Sequence, residues 1–173
     1  MESVILVDEY DHEIGVMEKM QAHREAQLHR AFSIFLFNEQ EEMLIHRRAM
    51  NKYHSGGLWT NACCSHQRLG ESNIAAGKRR LQEEMGIACE LKEMFSFIYK
   101  APLDNELTEH ELDHVLFGSF SGTPSPNPEE VSDYKFVSLD ELLNDVRINP
   151  KMYTEWFKIA LPLVIKERNK IIV

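Results

Sequence analysis

The chain has 173 residues, of which 43% are hydrophobic and 27% are charged, and this predicts one globular domain over residues 1–173. A formal net charge of −9 argues against a nucleic-acid-binding protein, because such binding depends on cations that neutralise phosphates. No apolar run is long enough to cross a bilayer, and the N-terminal segment carries acids where a signal peptide carries bases. We therefore expect a cytoplasmic protein with no nucleic-acid or membrane partner, whose three cysteines are reduced.

Strands are predicted in runs, with helices between and after them. Apolar and β-branched runs predict strands at residues 4–7, 31–37, 42–47, 58–62, 95–100, 112–120 and 134–137. Helical spacing predicts a helix over residues 71–85 that ends at Gly86, and a C-terminal helix over residues 150–169 that is kinked at Pro162. Ser138 and Glu141 form a capping box that opens a further short helix. Because strands outnumber helices, the predicted fold class is α+β, or a mixed α/β fold in which helices sandwich a mixed sheet.

The segment from Trp59 to Arg68 holds the most concentrated chemistry of the chain. Cys64 and His66 are two residues apart, so their side chains point to the same side of an extended strand. This pair could be a thiol nucleophile with its base, or a thiol beside a metal ligand. Cys63 is predicted to pack in the core, because free cysteine is often buried.

Three histidines and two glutamates have the character of metal ligands: His23, His29, His66, Glu109 and Glu111. Together, imidazole nitrogens and carboxylate oxygens suit a divalent cation of borderline hardness. The alternative is that each histidine is a hydrogen-bonded or surface residue and that the two glutamates share one solvated strand face. The remaining histidines are predicted to be structural or exposed: His12, His46, His54, His110 and His114.

Residues 65–87 resemble the Nudix box, whose pattern is G-x5-E-x7-R-E-U-x-E-E-x-G-U with U aliphatic. The matching residues are Glu71, Arg79, Leu81, Glu83, Glu84, Gly86 and Ile87. Ser65 replaces the opening glycine, and Arg80 places a cation where a hydrolase keeps a metal-binding carboxylate. A simpler interpretation is that Arg79–Glu83 and Arg80–Glu84 are ion pairs on a solvated helix face.

Taken together, these segments resemble the type I isopentenyl-diphosphate isomerase family, whose members have the Nudix fold. The similarity runs from about residue 4 to residue 156 and is carried by residues 19–23, 28–32, 47–52, 59–66, 69–73 and 109–111. The resemblance implies a Nudix-type α/β/α sandwich with a mixed central sheet. It also implies an isomerase of isoprenoid biosynthesis that converts isopentenyl diphosphate to dimethylallyl diphosphate, through a carbocation-like intermediate, by protonation and deprotonation.

The resemblance further implies two metal sites. The first would hold Mn²⁺, Mg²⁺ or Zn²⁺ on the three histidines and two glutamates named above. The second would hold the Mg²⁺ that arrives with the substrate diphosphate, through Glu84 and the backbone carbonyl of Cys64. The residues implied to grip the diphosphate are Lys19, Arg48, Lys52 and Arg80.

By the same resemblance, Cys64 and Glu111 are the catalytic pair, and Tyr99 and Trp156 are aromatic residues near the reacting carbons. Our preferred hypothesis is that Glu111, with Tyr99, delivers a proton and that the Cys64 thiolate removes one, although the sequence does not decide this order. The expected partner is a small isoprenoid diphosphate, and the expected state is a monomer or weak homodimer.

Two other functions remain open at this point. One is a Nudix hydrolase of a nucleoside diphosphate derivative, against which Arg80 argues. The other is a catalytically silent Nudix-fold binding module. Such a module should have lost part of the cysteine, histidine and glutamate set, whereas here every position is filled.

Overall fold

A computed structural model describes residues 2–172. Within this range one mixed sheet contains nine strands: β1 Ser3–Val7, β2 Glu13–Glu18, β3 His29–Phe37, β4 Met43–Arg48, β5 Trp59–Thr60, β6 Cys63–Ser65, β7 Leu91–Pro102, β8 Thr108–Ser119 and β9 Val131–Val137. The helices are α1 Lys19–Arg24, α2 Asn73–Met85, α3 Leu139–Ile148 and α4 Glu155–Ile172, and a 3₁₀ turn at Pro150–Met152 precedes α4. None of the described helices has the length and apolar character needed to cross a membrane.

Strand β3 is the centre of the sheet. It runs parallel to β8 along its whole length, with His29 opposite Glu111. The other edge of β3 pairs antiparallel with β1, β6 and β4 in turn, and Ser33 lies opposite Cys64 in the β6 pairing. Strands β7 and β8 form an antiparallel hairpin, and β9 pairs with β4. The combination of parallel and antiparallel pairs confirms the predicted mixed sheet.

The alternation of side chains along β3 creates two cores. Phe32, Ile34 and Leu36 point to one face of the sheet and belong to the cluster that includes α2. Phe35 and Phe37 point to the other face, where they join the cluster that includes α4. The sheet is thus covered by helices on both faces, which confirms the α/β/α sandwich.

Both ends of α2 are determined by single residues. The Ser72 hydroxyl accepts a hydrogen bond from the Ala75 amide, so the helix begins at Asn73, two residues later than predicted. Gly86 ends the helix with φ of 63°, as predicted, and its N–H donates to the carbonyl of Gln82. The predicted Ser138–Glu141 cap of α3 is also confirmed, since the Ser138 side chain accepts from the Glu141 amide.

Several other predicted boundaries are wrong. The edge strand β2 and the six-residue helix α1 were not predicted, because β2 is largely exposed and α1 is too short to show a helical period. Only Trp59 and Thr60 of the predicted strand at residues 58–62 form a strand, and Asn61 and Ala62 separate it from β6. Strands β7 and β8 each reach 12 residues because they pair with each other along the hairpin. The C-terminal helix starts at Glu155 instead of Pro150, because the chain first makes the 3₁₀ turn.

Candidate active site

The sequence-predicted site residues meet around the starts of β3 and β8. Those that line the cavity there are Lys19, Arg48, Lys52, Cys64, His66, Arg80, Glu84, Tyr99, Glu109, Glu111 and Trp156. His23 and His29 are fully buried and lie in one group with His66 and Glu111. The structure therefore brings together every predicted site residue, although they come from eight strands and helices, the β4–β5 loop and the segment that follows β6.

His23 and His29 are oriented by main-chain carbonyl groups. Nδ1 of His23 lies 2.7 Å from the Lys19 carbonyl oxygen, and Nδ1 of His29 lies 2.8 Å from that of Gln27. Because a carbonyl oxygen can only accept, each Nδ1 carries the hydrogen and each Nε2 presents a lone pair. Both Nε2 atoms are buried without a hydrogen-bond partner among the described residues. This is the arrangement that a metal-binding imidazole requires.

His66 and Glu111 complete this group. His66 Nε2 is 3.1 Å from Glu111 Oε1, and His29 Nε2 is 3.4 Å from the same oxygen. Ligand atoms of the three histidines and Glu111 all lie within 4.8 Å of one another. Burial lowers the pKa of His66 to about 4 and also lowers the pKa of His23, so these rings are neutral near pH 7. The buried group fits a divalent cation in both donor type and proximity.

Tyr99 joins the two glutamates of β8. Its hydroxyl lies 2.8 Å from Glu109 Oε2 and 2.7 Å from Glu111 Oε2. Burial and the nearby charge of Glu111 raise the pKa of Glu109 well above its usual range. The pKa of Glu111 lies well below its usual range. Burial acts to raise this pKa, but the contacts with the His29 and His66 rings lower it by more. The two carboxyl groups therefore differ in protonation although they share one phenol.

Cys63 and Cys64 point to opposite faces of the sheet, and Cys63 is packed as predicted. Cys63 is fully buried in the core that includes α2. Cys64 lines the cavity, and burial together with the charge of Asp113 raises the pKa of its thiol. A protonated Cys64 beside an ionised Glu111 is the reverse of the proton placement that the sequence argument preferred, so the order of transfer stays a prediction.

Three of the cations in the cavity are already paired with carboxylates. Lys19 Nζ lies 3.0 Å from Glu2, and Lys52 Nζ lies 2.6 Å from Glu130. Arg80 binds Glu83 at 2.6 Å and also binds Glu84. An entering anion would have to compete with these carboxylates.

Arg48 differs from the other cations. Its Nη2 donates to the His54 carbonyl at 3.2 Å, and its guanidinium carbon lies 5.2 Å from the centre of the Trp156 ring. Its Nε is buried without a partner among the described residues, and so is Nε1 of Trp156. Arg48 makes no ion pair within the described residues 2–172, so it is the cation most available to an anion.

The helix-surface interpretation of the α2 charges is partly confirmed. Arg79 lies 3.7 Å from Glu83, and Arg80 pairs with Glu84, as i,i+4 spacing predicts. Glu84, however, is only 6% exposed and lines the cavity. Burial raises its pKa and the Arg80 charge opposes this effect. The pairs therefore form, but one of them belongs to the site.

His54 was predicted to be structural or exposed, and it also lines the cavity. It is buried, and it forms a second possible metal-ligand group with His23 and Glu109. Its Nε2 lies 3.8 Å from Glu109, and its ring meets the Trp156 ring edge-on at 5.7 Å. Burial and the Arg48 charge lower its pKa to about 2, so the ring is neutral. It lies in an irregular loop, where no periodicity marks the direction of a side chain.

Further residues at the site were missed, including Ser33, Asn61, Tyr53, Asp113 and Glu130. Ser33 and Asn61 contact the Cys64 thiol, and Glu130 contacts Lys52. Asp113 follows Glu111 by two residues on β8, so the same alternation that linked Glu109 to Glu111 could have found it. Asn61 lies in the 59–66 segment that carries the resemblance, whereas nothing in the sequence distinguishes Ser33, Tyr53 or Glu130.

Comparison with known proteins places the chain among close relatives. Residues 27–157 match the NUDIX domain family model. The chain is 50% identical over 168 residues to isopentenyl-diphosphate Delta-isomerase 2 of Aromatoleum aromaticum, covering 97% of this chain and 89% of that protein. It is 48% identical to the isopentenyl-diphosphate Delta-isomerase of Pectobacterium atrosepticum, covering 91% and 88%. The crystal structure of DR0079 from Deinococcus radiodurans has a TM-score of 0.72 at 23% identity, covering 86% and 90%, and supports the fold alone.

Proposed function

This chain belongs to the isopentenyl-diphosphate Delta-isomerase family and carries a NUDIX domain, and we propose on that basis that it converts isopentenyl diphosphate to dimethylallyl diphosphate in isoprenoid biosynthesis. One observation supports this most directly. The Cys64 thiol and the Glu111–Tyr99 pair line the same cavity as the cations Arg48 and Lys52. An acid–base pair and an anion-binding region are thus within reach of one small molecule.

The proposed reaction moves a double bond by one carbon. A proton is added to the terminal carbon of the alkene, the positive charge develops on the adjacent tertiary carbon, and a proton leaves from the carbon next to the diphosphate-bearing one. An unactivated alkene is a weak base, so the acid has to be positioned in a pocket that excludes water. We propose that Glu111 with Tyr99 delivers the proton and that Cys64 removes one, which requires Cys64 to lose its proton and Glu111 to gain one before the reaction begins.

The cations would anchor the substrate without reacting. Arg48 has a buried Nε free to bind, while Lys19, Lys52 and Arg80 would exchange their carboxylates for diphosphate oxygens. Binding energy from this remote group would hold the alkene between the acid and the base. The Trp156 ring would stabilise developing positive charge through its face.

Two cations would take part. His23, His29, His66 and Glu111, whose ligand atoms form one group, would hold one divalent ion, Mn²⁺, Mg²⁺ or Zn²⁺. Glu109, which shares the Tyr99 hydroxyl with Glu111, would be the fifth ligand. When bound, this ion supplies fixed positive charge beside Glu111. Glu84 and the Cys64 carbonyl would contact the Mg²⁺ that accompanies the diphosphate.

The hydrolase alternative is disfavoured by Arg80. Its guanidinium binds both Glu83 and Glu84, so it neutralises the carboxylates that a Nudix hydrolase would use for metal ions. No contact among the described residues specifically favours a nucleoside. We also propose that residues 1–173 form one cytoplasmic isomerase domain that acts as a monomer or weak homodimer.

The adjacent cysteines provide a matched test. Incubation with isopentenyl diphosphate and Mg²⁺ should yield an acid-labile allylic product. Cys64→Ala should lower kcat about a thousandfold, a typical contribution of general acid–base catalysis. Cys63→Ala should retain kcat within a few-fold, because Cys63 packs in the opposite core.

Three other outcomes would each contradict a part of this proposal. Near wild-type activity of Cys64→Ala or Glu111→Gln would contradict the two-residue mechanism. An inactive Cys63→Ala with an active Cys64→Ala would show that the wrong cysteine had been chosen. Phosphate release from nucleotide substrates would favour the hydrolase.

A further inference from the structure

The Cys64 thiol is enclosed by polar groups that play no part in the mechanism described above. Its Sγ donates to Asn61 Oδ1 at 3.0 Å, and Ser33 Oγ lies 3.4 Å from Sγ. Asn61 is fully buried and Ser33 is 3% exposed. Buried polar side chains are costly unless they are hydrogen-bonded, so two of them around one thiol call for an explanation.

Asn61 is held in a single orientation. Its Nδ2 donates to the carbonyl oxygens of Ile34 and Cys63, both at 2.9 Å. Both amide hydrogens are therefore used, and the amide cannot be flipped without losing two bonds. Its Oδ1 accepts from the Thr60 hydroxyl at 2.9 Å as well as from Cys64. The acceptor that faces the thiol is thus fixed by the main chain of β3 and β6.

Ser33 is fixed from the opposite direction. It lies directly across from Cys64 in the β3–β6 pairing. Its hydroxyl donates to Asp113 Oδ2 at 2.7 Å, and Asp113 is 1% exposed. The bond to Asp113 on the neighbouring strand β8 therefore fixes the position of the Ser33 oxygen beside the thiol.

Resting on the proposed isomerase function, we propose that Asn61 and Ser33 are positioning residues of Cys64, and that Asp113 anchors Ser33. A cysteine side chain has three staggered positions of Sγ. The bond to Asn61 and the contact with Ser33 select the one that faces the cavity. Reacting atoms must approach within about 3–3.5 Å in a defined direction, so a thiol that samples other positions spends less time in productive geometry.

The first readout is the separation of kcat from KM. Ser33→Ala should lower kcat about tenfold, with KM within about twofold, because it removes the oxygen beside the thiol and that oxygen's hydrogen bond to Asp113. Ser33→Thr keeps the hydroxyl and should restore most of kcat. Asn61→Ala should lower kcat further, by about a hundredfold. Ser138→Ala removes a hydroxyl from the α3 cap and serves as the control for a general loss of stability. Its kcat should equal that of the wild type.

The second readout does not require activity. Brief treatment with iodoacetamide, followed by peptide mapping, gives the labelling ratio of Cys64 to Cys89, which is partly buried and lies outside the cavity. Ser33→Ala and Asn61→Ala should raise this ratio several-fold, because the released thiol can turn toward the reagent, while Ser138→Ala should leave it unchanged.

The outcomes separate the two proposals. A wild-type kcat in Ser33→Ala, a change confined to KM, or equal labelling ratios in all variants would overturn the positioning role. If the wild type fails to isomerise isopentenyl diphosphate, the proposed function fails. The labelling ratio then decides by itself whether Asn61 and Ser33 hold Cys64.

Discussion

At the scale of single residues, His46 shows how burial governs protonation in this protein. It lies on β4, is only 3% exposed, and its Nδ1 is 3.1 Å from the carbonyl oxygen of Ala62. Burial, with a further contribution from the Arg48 charge, lowers its pKa from 6.5 to about 4. The folded protein therefore takes up this proton less readily than the unfolded chain does.

We predict that His46 makes stability depend on pH between about 6.5 and 4. Above this window the ring is neutral in both states, so it costs nothing. As the pH falls through the window, only the unfolded chain gains the proton, and the free energy of unfolding should drop by up to roughly 3 kcal/mol. Urea unfolding of wild type and His46→Gln at pH 7 and pH 4.5 would measure this difference. An equal loss in both proteins would contradict the prediction.

Residue-level prediction from the sequence succeeded where strand alternation applies. Glu109 and Glu111 share a side because they are two residues apart on β8, and Cys64 on β6 and His66 just after it both line the cavity. His54 lies in a loop, and its approach to Glu109 depends on how that loop folds over β8. Asn61 lies at a break between two short strands, where alternation gives no direction. Sequence spacing does not encode such contacts.

At the scale of elements, glycine controls where α2 ends. Gly86 adopts φ of +63°, and a Cβ there would lie 2.5 Å from the Ser125 carbonyl oxygen. Gly70 adopts φ of +77°, but a Cβ there would meet no atom within 4 Å. The two glycines share a left-handed backbone and differ in the space around them.

We predict different costs for the same substitution at these two glycines. Gly70→Ala should destabilise the protein by about 1 kcal/mol, the cost of placing a Cβ in the left-handed region. Gly86→Ala should cost clearly more, because the Ser125 main chain must also move. Chemical unfolding of both variants measures the difference. Equal costs would show that the Ser125 contact is easily relieved.

The limits of element prediction have physical causes. The stop at Gly86 and the cap at Ser138 were predictable because each depends on a local backbone requirement. Strand β2 was not, since its residues are mostly exposed and its strand character comes from pairing with β1. The full lengths of β7 and β8 likewise arise from their pairing with each other. The extent of these strands is determined by pairing with strands elsewhere in the chain and not by their local sequence.

At the scale of the whole molecule, the residues of the candidate metal group come from segments that are far apart in the sequence. His23 comes from α1, His29 from β3, His66 follows β6, and Glu111 comes from β8. The unfolded chain does not hold these residues together, so a cation that binds this group stabilises the folded state. Cation binding by this group would therefore be thermodynamically linked to the stability of the protein.

We predict that a bound divalent ion raises the thermal stability of the protein. A free ion concentration of 100 times Kd would add about 2.7 kcal/mol, or about 5–10 °C in Tm for a chain of this size. Thermal unfolding with Mn²⁺ or Zn²⁺, against a chelator, measures the shift. His23→Ala should abolish the shift, whereas His12→Ala should keep it, because His12 lies on the surface outside the group. A shift that survives His23→Ala would place the ion elsewhere.

The pairing of cavity cations with carboxylates has a consequence for how ligands enter. A diphosphate that takes Lys52 or Arg80 leaves Glu130 or Glu84 without its counter-ion. A Mg²⁺ that travels with the diphosphate would supply the missing positive charge at the same moment. We therefore expect substrate and Mg²⁺ to bind together. The diphosphate would replace the carboxylates at the cations, the Mg²⁺ would neutralise the released carboxylates, and the total charge of the pocket would change little. Pyrophosphate alone should bind much more weakly than its magnesium complex.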